Sequence, residues 1–522
     1  MSGPGDDKEA DRPLEVTEEA EVPPTPSTVG EPAVPTPPQA SDVTPEPAPP
    51  TSSEPSERPC PWWARKPRAK ADEPWSHLVR AMGYEVMVVL VTAAAVAVLA
   101  FVVLQGRFQD FYIKLRPLAE VSGEVTLLTI GPESLYLWNP ENREPEVTPR
   151  ALTAELVRFL DAAGASVIVL DFLLDTPAEG DDLLAAAARS HGAVLAAERL
   201  EVTDPASGQE FVAGLSPTLV EDLHAGFANF QEEQHTLFSQ ELLVRSVPLV
   251  RVANRSHLSG PWPANLVGGR QDIDQVVPAL SLAAAWLHRA EPEAGPAALQ
   301  QVLQEGCSAP PLTCGIGAED LGLHPLPHPL EQPLAINFRG PEHADGIPTI
   351  PASRVLRVMA QVSLMQRLGA EAAVTVPEDL KAILEDRVVV VGRVDSSARD
   401  RFLTPYSLPI PVTPDMPGPR IHAHIIDTLL SGRHIRPVGG VWIWLLALGL
   451  AASVWRSHHR LRDDVVVALW LLAATLLLLI GVVIFHWTDG VSLEIGPPLL
   501  GILATLFYVT LRGWAVEESL RT

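Results

Sequence analysis

The sequence has little cysteine and few basic residues. Only 3 of its 522 residues are Cys, which excludes a multi-disulfide secreted scaffold and a zinc ribbon of paired CxxC motifs. Lys and Arg number 38 against 64 Asp and Glu, which gives a formal net charge of −26. Nucleic acid is therefore excluded as a partner, because a phosphate backbone is bound by a basic face.

Catalytic sequence motifs are missing as well. The chain contains no nucleophile elbow, phosphate-binding loop, HExxH zinc motif or glycine-rich dinucleotide fingerprint. Each of these motifs places a reactive group or a backbone cradle that its chemistry requires. We therefore expect no enzymatic activity and no cofactor.

Proline is abundant, and it is concentrated near the N-terminus. Residues 1–60 hold 15 of the 51 prolines together with 13 acidic and 3 basic residues. Such a segment has too little apolar surface to offset its chain entropy, so we expect a disordered, acidic cytoplasmic tail. The tail is either a proline-rich docking site or an entropic spacer. A basic juxtamembrane segment follows at residues 61–85, with Arg65, Lys66, Arg68, Lys70 and Arg80.

Four apolar stretches have the length of membrane spans. Residues 86–104 carry no charge, and at about 1.5 Å rise per residue they come close to crossing a hydrocarbon core of roughly 30 Å. This stretch begins too far along the chain for a cleaved signal peptide, so we predict an uncleaved anchor. Three more predicted spans lie at residues 438–454, 465–485 and 495–511. Their ionisable residues lie only near the ends, which disfavours a transporter or a proton pump.

The basic residues that flank these spans set the expected orientation. The segment 61–85, the loop Arg456–Arg462 and the short tail at residues 512–522 carry Lys or Arg, whereas the loop His486–Glu494 carries neither. With four spans, the three basic flanks fall on one side of the membrane, which the positive-inside rule makes cytoplasmic. We therefore expect both termini in the cytoplasm and residues 105–437 outside it.

The outer region alternates strand and helix patterns. Apolar strand runs at Val125–Ile130, Val167–Leu170 and Ala193–Ala197 are separated by helical patterns at Thr153–Ala163 and Asp181–Ser190. Strands that alternate with helices pair in parallel through right-handed crossovers, so we predict an α/β domain with a mostly parallel sheet and flanking helices. We also predict a strand at Arg387–Gly392 and a helix at Arg420–Leu430. Two irregular inserts are expected, at residues 200–240 and 290–330.

Ordered blocks across this region resemble the type-2 CHASE domain, an extracellular sensor associated with bacterial cyclases, histidine kinases and Ser/Thr kinases. The blocks are Val125–Ile130 with Glu133–Leu135, Gly164–Phe172, Gly226–Asn229, Val244–Leu249, Ile336–Pro341, Val388–Gly392, Asp400–Pro405, Pro417–Gly418, Ile421–Ala423 and Leu429–Gly432. One span before the domain and three after it match too. The resemblance therefore covers residues 105–511, and the ordered set is specific although each block alone is weak.

This resemblance implies a sensor of a periplasmic ligand or stress in a bacterial inner membrane. In the family, the last span usually leads into a cytoplasmic effector domain, whereas residues 512–522 are too few to fold alone. We therefore expect a stand-alone sensor, alone or as a homodimer, that signals through its membrane bundle to a cytoplasmic signalling enzyme or scaffold in trans. The alternative is an envelope scaffold that takes no small-molecule ligand.

Five residues are candidates for ligand contact: Asp171, Asp175, Arg339, Asp395 and Asp400. Asp171 and Asp175 follow a predicted parallel strand, where open α/β sheets place ligands, although both are also good turn residues. A third and weaker hypothesis makes them part of a periplasmic hydrolase. Asp395 and Asp400 lie in a charged loop that follows a later strand. This loop either contacts a ligand or forms a solvated cluster of salt bridges. Arg339 can bind an anion or pair with a carboxylate of the chain.

Two histidines in the predicted helix Arg420–Leu430 raise the question of a metal site. His422 and His424 diverge by about 200° on a helix, so they cannot share an ion there. His424 and Asp427, three residues apart, can face the same way. We expect these side chains to pack at the start of a helix, and we expect no metal site.

Cys307 and Cys314 lie on the expected oxidising side of the membrane. We predict a disulfide that closes the short proline-containing loop between them, with two unpaired thiols as the alternative. The chain-entropy model gives such a short loop roughly 2–3 kcal/mol. Thiol labelling under denaturing, non-reducing conditions is expected to find one free cysteine, Cys60, and three reactive thiols would contradict the disulfide.

Overall fold

The computed structural model describes most of residues 107–507. Its gaps are at residues 116–117, 119, 139–147, 205–208, 235–241, 255–273, 291–295, 309–311, 342–343, 368–375, 395–399, 408–414, 439–440, 459–462, 489–490, 494–497, 499–500 and 503–504. The predicted tail, the basic segment, the first predicted span and residues 512–522 lie outside the described residues, so these predictions stay predictions.

Eleven α-helices are assigned within the described ranges. They are α1 Arg107–Leu115, α2 Pro132–Trp138, α3 Arg150–Ala162, α4 Asp181–His191, α5 Leu280–Arg289, α6 Pro296–Gly306, α7 Ala352–Arg367, α8 Glu378–Lys381, α9 Gly418–Ser431, α10 Val441–His458 and α11 Asp463–Trp487. The helical patterns recognised in the sequence at α3, α4 and α9 are confirmed, with ends that differ by a few residues. Helix α4 ends at His191, and the following Gly192 has a φ of 82°, which suits glycine.

Eighteen strands are assigned in the same ranges. They are β1 Val125–Ile130, β2 Val167–Leu173, β3 Val194–Asp204, β4 Gln209–Ala213, β5 His224–Phe227, β6 Gln231–Gln234, β7 Leu242–Val247, β8 Val250–Asn254, β9 Asp274–Pro278, β10 Cys307–Ser308, β11 Thr313–Cys314, β12 Leu334–Ala335, β13 Thr349–Pro351, β14 Val388–Arg393, β15 Arg401–Phe402, β16 Met416–Pro417, β17 Arg436–Val438 and β18 Val491–Leu493. The predicted strands therefore exist, and β3 runs well beyond its predicted end.

One nine-stranded sheet organises the domain. Its order is β13-β1-β14-β2-β3-β4-β8-β9, and β5 pairs with β3 off this path. The central strands β13, β1, β14, β2, β3 and β5 pair in parallel. The pairs β3–β4 and β8–β9 are antiparallel. The predicted α/β fold with a mostly parallel sheet is confirmed.

The central strand β14 shows why the sheet forms between two layers of helices. Val388, Val389, Val390 and Val391 are each 0% exposed. Successive side chains of a strand point to opposite faces, so Val388 and Val390 join a core with α5 and α9, while Val389 and Val391 join a core with α3 and α4. A strand buried on both faces needs an uninterrupted apolar run, and β-branched valine suits the pleated backbone.

The two inserts predicted to be irregular contain regular elements, so that prediction is wrong in part. Residues 200–240 contain the end of β3 and the strands β4, β5 and β6, and residues 290–330 contain α6 and the β10–β11 hairpin. In β3 the chain leaves the parallel part of the sheet and continues as an antiparallel pair with β4. Charged residues alternate with apolar ones there, as in Arg199–Val202, which hides the strand from a search for continuous apolar runs.

Helix α11 is the described helix that has the length and composition of a membrane span. Its segment Val465–Trp487 covers 23 residues with a mean hydropathy of 2.9. The apolar part of α10, Leu445–Val454, is shorter. The described residues of the last predicted span include Ile502 and Leu506, which pack in one cluster with Val454 of α10 and Val466 of α11. Within the described residues, one of the four predicted spans thus meets the length and hydropathy of a crossing helix.

Candidate functional site

One predicted site residue, Asp171, lies at the carboxyl ends of the central strands, beside a glycine of the neighbouring strand. Asp171 of β2 lies opposite Gly392 of β14, and Gly392 lies opposite Thr129 of β1 on its other side. Ligands of open α/β sheets bind at this edge. Asp171 therefore lies at the position that the sequence predicted for it.

Helix α9 begins directly against this edge, and two glycines allow the approach. A Cβ on Gly392 would lie 2.1 Å from Pro419 Cγ at the start of α9. A Cβ on Gly418, the first residue of α9, would lie 2.1 Å from Asp400 Oδ2. The amide of Gly418 also donates to the backbone oxygen of Asp400 at 3.0 Å. The predicted site residues Asp171 and Asp400 are thus brought to the N-terminus of one helix, and we call Asp171, Gly392, Asp400 and Gly418 the strand-end cluster.

The electrostatics of the strand-end cluster are unfavourable for two ionised carboxylates. The Asp171 side chain is 6% exposed, and its Oδ2 has no hydrogen-bond partner among the described residues. Burial raises the pKa of Asp171 well above its ordinary value, and the nearby Asp400 carboxylate raises it further. Burial also raises the pKa of Asp400, to about 6. The cluster therefore holds protons more tightly than an exposed carboxyl pair.

His422 of α9 lies beside the cluster as a neutral ring. Its Nδ1 is 2.8 Å from Ser281 Oγ of α5, and its Nε2 is 3.8 Å from Asp171 Oδ1. Burial lowers the pKa of His422 to about 3, so it carries no charge at neutral pH. The ring of Phe230 lies against it, with centroids 4.6 Å apart, and Phe402 meets Phe230 edge-on at 5.0 Å.

A second group of charges fills the interior along α9. Arg339, Asp345, Arg420, His424 and Asp427 are all buried. We call these five residues the α9 ion-pair column. Arg420, His424 and Asp427 are four and three residues apart, so they lie along one face of the helix.

The ion pairs of this column are short, and each carboxylate in it has a guanidinium partner. Arg339 Nε lies 2.6 Å from Asp427 Oδ2, and the other carboxylate oxygen of Asp427 accepts from the amide of Ser122 at 2.6 Å. Arg420 Nη1 donates to Asp345 Oδ2 at 2.9 Å, and His424 Nε2 lies 3.1 Å from the same oxygen. Arg420 and His424 help to hold the pKa of Asp345 below its ordinary value against the effect of burial. Arg339 therefore pairs with a carboxylate of the chain, which was the structural alternative for this residue.

The remaining predicted residues are not brought into either group. Asp175 lies in the loop after β2, where it is half-buried. Asp395 lies outside the described residues. His422 and His424 face different partners, Asp171 and Asp345, as expected for residues two apart on a helix. Among the described residues, no three or more His, Cys, Asp or Glu side chains are grouped as metal ligands.

Sequence reasoning missed Asp345 and Arg420. Asp345 lies in the loop before β13 and meets α9 only after folding, so its local sequence carries no sign of its partners. Arg420 carried a signal that went unused. It lies four residues before His424 in a helix that is rich in apolar residues, and a charged side chain on a buried helix needs a partner.

The predicted cysteine pair is joined in the structure. Cys307 and Cys314 lie opposite each other in the β10–β11 hairpin, with their Cα atoms 4.0 Å apart and a disulfide between them. Whether the bond forms in the cell stays a prediction, with the labelling experiment as its test.

A chain of Ser166, His288 and Glu124 has the order of a hydrolase triad. Ser166 Oγ is 2.7 Å from His288 Nδ1, and His288 Nε2 is 2.9 Å from Glu124 Oε2. Acyl transfer also needs free N–H groups to stabilise an oxyanion. The amides of residues 164, 165 and 166 donate to the backbone oxygens of Asp161, Leu160 and Arg387, so they supply no such groups.

Helix α1 connects the domain to α11. Arg245 of β7 forms a two-pronged ion pair with Asp110 of α1, with Nη2 2.8 Å from Oδ2 and Nε 3.0 Å from Oδ1. Tyr112 of α1 stacks on Phe485 of α11 at 5.5 Å, and a Cβ on Gly481 would lie 2.5 Å from its hydroxyl oxygen. We call Asp110, Tyr112, Arg245, Gly481 and Phe485 the α1 bridge.

Comparison with known proteins adds the family. A family model described as the CHASE2 domain, a sensory extracellular domain family, matches residues 86–454. No curated protein and no solved structure matches the chain. The match covers more than half of the sequence, and the chain therefore belongs to the CHASE2 domain family.

Proposed function

We propose that the protein is a sensor of the bacterial inner membrane, whose periplasmic domain detects a ligand or an envelope stimulus and signals through its membrane helices. Its membership of a sensory extracellular domain family supports this function. The lack of catalytic sequence motifs supports a sensor that acts by changing conformation, without a reaction and without a cofactor.

The α1 bridge is the observation that carries the proposal. Arg245 and Asp110 are both buried, so the domain holds α1 through charges that are shielded from water. On its other side α1 packs tightly against α11, because Gly481 leaves no side chain between the helices. We therefore expect a rearrangement of β7 to reach the apolar helix through α1.

The proposed topology has four spans, with both termini in the cytoplasm and residues 105–437 in the periplasm. The contacts of Ile502 and Leu506 with α10 and α11 support a bundle at the C-terminal end. Reporter fusions at Gly208 and His458 are expected to report opposite compartments. Signals from the same side would contradict this topology.

The proposed output is an effector in trans, a cytoplasmic signalling enzyme or scaffold that is recruited by the proline-rich tail, alone or within a homodimer. The prolines support this role because they preorganise an extended segment for binding. Deletion of residues 2–58 leaves the basic segment that directs insertion intact. If cross-linked partners and signalling output survive this deletion, the tail is not the docking site.

A distance measurement on the full chain in lipid nanodiscs tests the sensor function. Spin labels replace Lys114 of α1 and Thr488 after α11, and pH steps, osmotic upshift and periplasmic extract serve as stimuli. We expect at least one stimulus to change the distance between the labels. Arg245→Gln is expected to abolish this change, whereas Arg189→Gln, in an exposed ion pair, retains it.

The same experiment separates a sensor from a scaffold. A constant distance under every stimulus, together with stable co-purification of envelope proteins, would overturn the sensor function and favour the scaffold. A distance change that Arg245→Gln leaves intact would show that the signal does not pass through the α1 bridge.

A further inference from the structure

The strand-end cluster contains a buried oxygen that has nothing to bind. Asp171 Oδ2 has no hydrogen-bond partner in the part of the chain that the structure describes, although its side chain is more than nine-tenths buried. A buried polar atom without a partner is rare in folded proteins, because leaving it unpaired destabilises the fold. The Asp400 carboxyl group lies against Gly418 at the same helix N-terminus, close enough to raise the pKa of Asp171, and no ion pair of Asp400 is found among the described residues.

An aromatic pair adjoins the carboxyl groups. Phe402 follows Asp400 by two residues, and it contacts Phe230, whose ring lies on His422 beside Asp171. Both phenyl rings are half-buried. Carboxylates next to aromatic rings recognise ammonium and guanidinium groups, because the carboxylate supplies charge and hydrogen-bond acceptors while the ring face attracts the cation.

We propose that the strand-end cluster binds the ammonium or guanidinium group of a small organic cation. This inference rests on the proposed sensor function and assigns the chemical class of its ligand. Asp171 Oδ2 accepts a hydrogen bond from the cation, the Asp400 carboxylate neutralises it, and the rings of Phe230 and Phe402 contact its carbon chain.

The donor set favours an organic cation over other ligands. A metal ion such as Ca²⁺ takes about six to eight oxygen ligands, whereas the described residues offer two carboxylates here. His422 does not add a ligand, because its Nδ1 lies within hydrogen-bond distance of Ser281 Oγ and its ring also hydrogen-bonds with the backbone of Ala228. An anion would be repelled by both carboxylates.

Protons compete with this cation, which makes the site recognisable by its pH dependence. Charged groups on the surrounding elements include Glu198 of β3, Arg393 of β14, Arg401 of β15, Asp415 before β16, and Arg420 of α9, which is paired with Asp345. His422, which lies beside the cluster, stays neutral because burial lowers its pKa. Burial raises the pKa of Asp400 to about 6, so affinity is expected to weaken roughly tenfold between pH 8 and pH 5.

Calorimetric titration of the full chain in lipid nanodiscs tests the site. The probes are 1,4-diaminobutane for the ammonium group and L-arginine for the guanidinium group, with MgCl2 at matched ionic strength as a control. We expect saturable binding of at least one organic probe and none of Mg²⁺. Asp171→Asn is expected to weaken binding at least tenfold, whereas Asp175→Asn, a matched change four residues away, leaves it unchanged.

Each other outcome overturns the site. Equal binding by Asp171→Asn, equal loss in Asp175→Asn, or an equal response to Mg²⁺ would each rule it out, as would the absence of binding in a folded protein. The spin-label distance keeps this test separate from that of the sensor function. Binding without any change in distance overturns the sensor function alone, whereas a stimulus response without organic-cation binding overturns the site alone.

Discussion

The strand-end cluster and the α9 ion-pair column lie on the same helix and treat buried charge in opposite ways. In the column each carboxylate meets a guanidinium within 3 Å, as with Arg339 and Asp427. In the cluster Asp171 and Asp400 meet each other, and burial raises the pKa of both. A buried charge that has an oppositely charged partner holds the helix in place. A buried charge without such a partner destabilises the free protein, and a ligand that pairs with it recovers this free energy.

The column is expected to give the largest effect when one partner is removed. Arg339→Leu leaves Asp427 as an unpaired charge at 1% exposure, and such losses cost roughly 3–5 kcal/mol. Urea unfolding of the full chain in detergent measures the change. The double variant Arg339→Leu with Asp427→Leu removes both charges, and it is expected to recover much of the stability.

The cluster is expected to respond in the opposite direction. Asp171→Asn removes a charge that repels Asp400, so we expect a stabilisation of about 1–2 kcal/mol at pH 8. The same urea unfolding measures it, with Asp175→Asn as the control that changes little. A destabilised Asp171→Asn protein would show that the carboxylate is compensated and would remove the contrast with the column.

The pH dependence of stability sharpens the contrast further. The folded-state pKa of Asp400 is about 6 and lies above its unfolded value of 3.8. Asp400 therefore contributes fully to the free energy of unfolding below pH 3.8, and this contribution is lost as the pH rises through 6. His422 acts in the opposite direction, because its folded pKa of about 3 makes acid destabilising below its unfolded pKa of 6.5. His434, whose pKa burial lowers to about 4, acts like His422.

The informative quantity is therefore a difference between two proteins. We expect the free energy of unfolding of Asp171→Asn/Asp400→Asn, relative to the wild type, to rise between pH 5 and pH 8 by about 1–3 kcal/mol. The histidines are common to both proteins and cancel. A difference that does not change with pH would contradict the raised pKa values.

A surface ion pair provides the smallest expected effect. Arg189 and Asp222 form a two-pronged pair at 2.8 Å, but the arginine side chain is 68% exposed. Exposed pairs contribute little to stability because water screens their attraction, so Arg189→Gln should leave the urea midpoint almost unchanged. A loss as large as that of Arg339→Leu would show that burial is not what distinguishes the column.

Local patterns were sufficient for the sheet and for one half of the site. The continuous valines of β14 and the alternation of strands and helices predict a parallel sheet, because burial on both faces requires apolar runs. Asp171 was found by its position after such a run. The polar alternation of β3 was not recognised, because its partner β4 lies in the insert.

The sequence by itself determined the class of the fold, the apolar character of the predicted spans and the strand-end position of Asp171, since each depends on neighbours along the chain. Only the tertiary structure decided that Arg339 pairs with Asp427, which lies 88 residues away. It also decided that Asp400 lies near enough to Asp171 to raise its pKa. Buried charges are compensated or left uncompensated by residues distant in sequence. For that reason, the difference between a structural ion pair and a candidate ligand site appears only after the chain has folded.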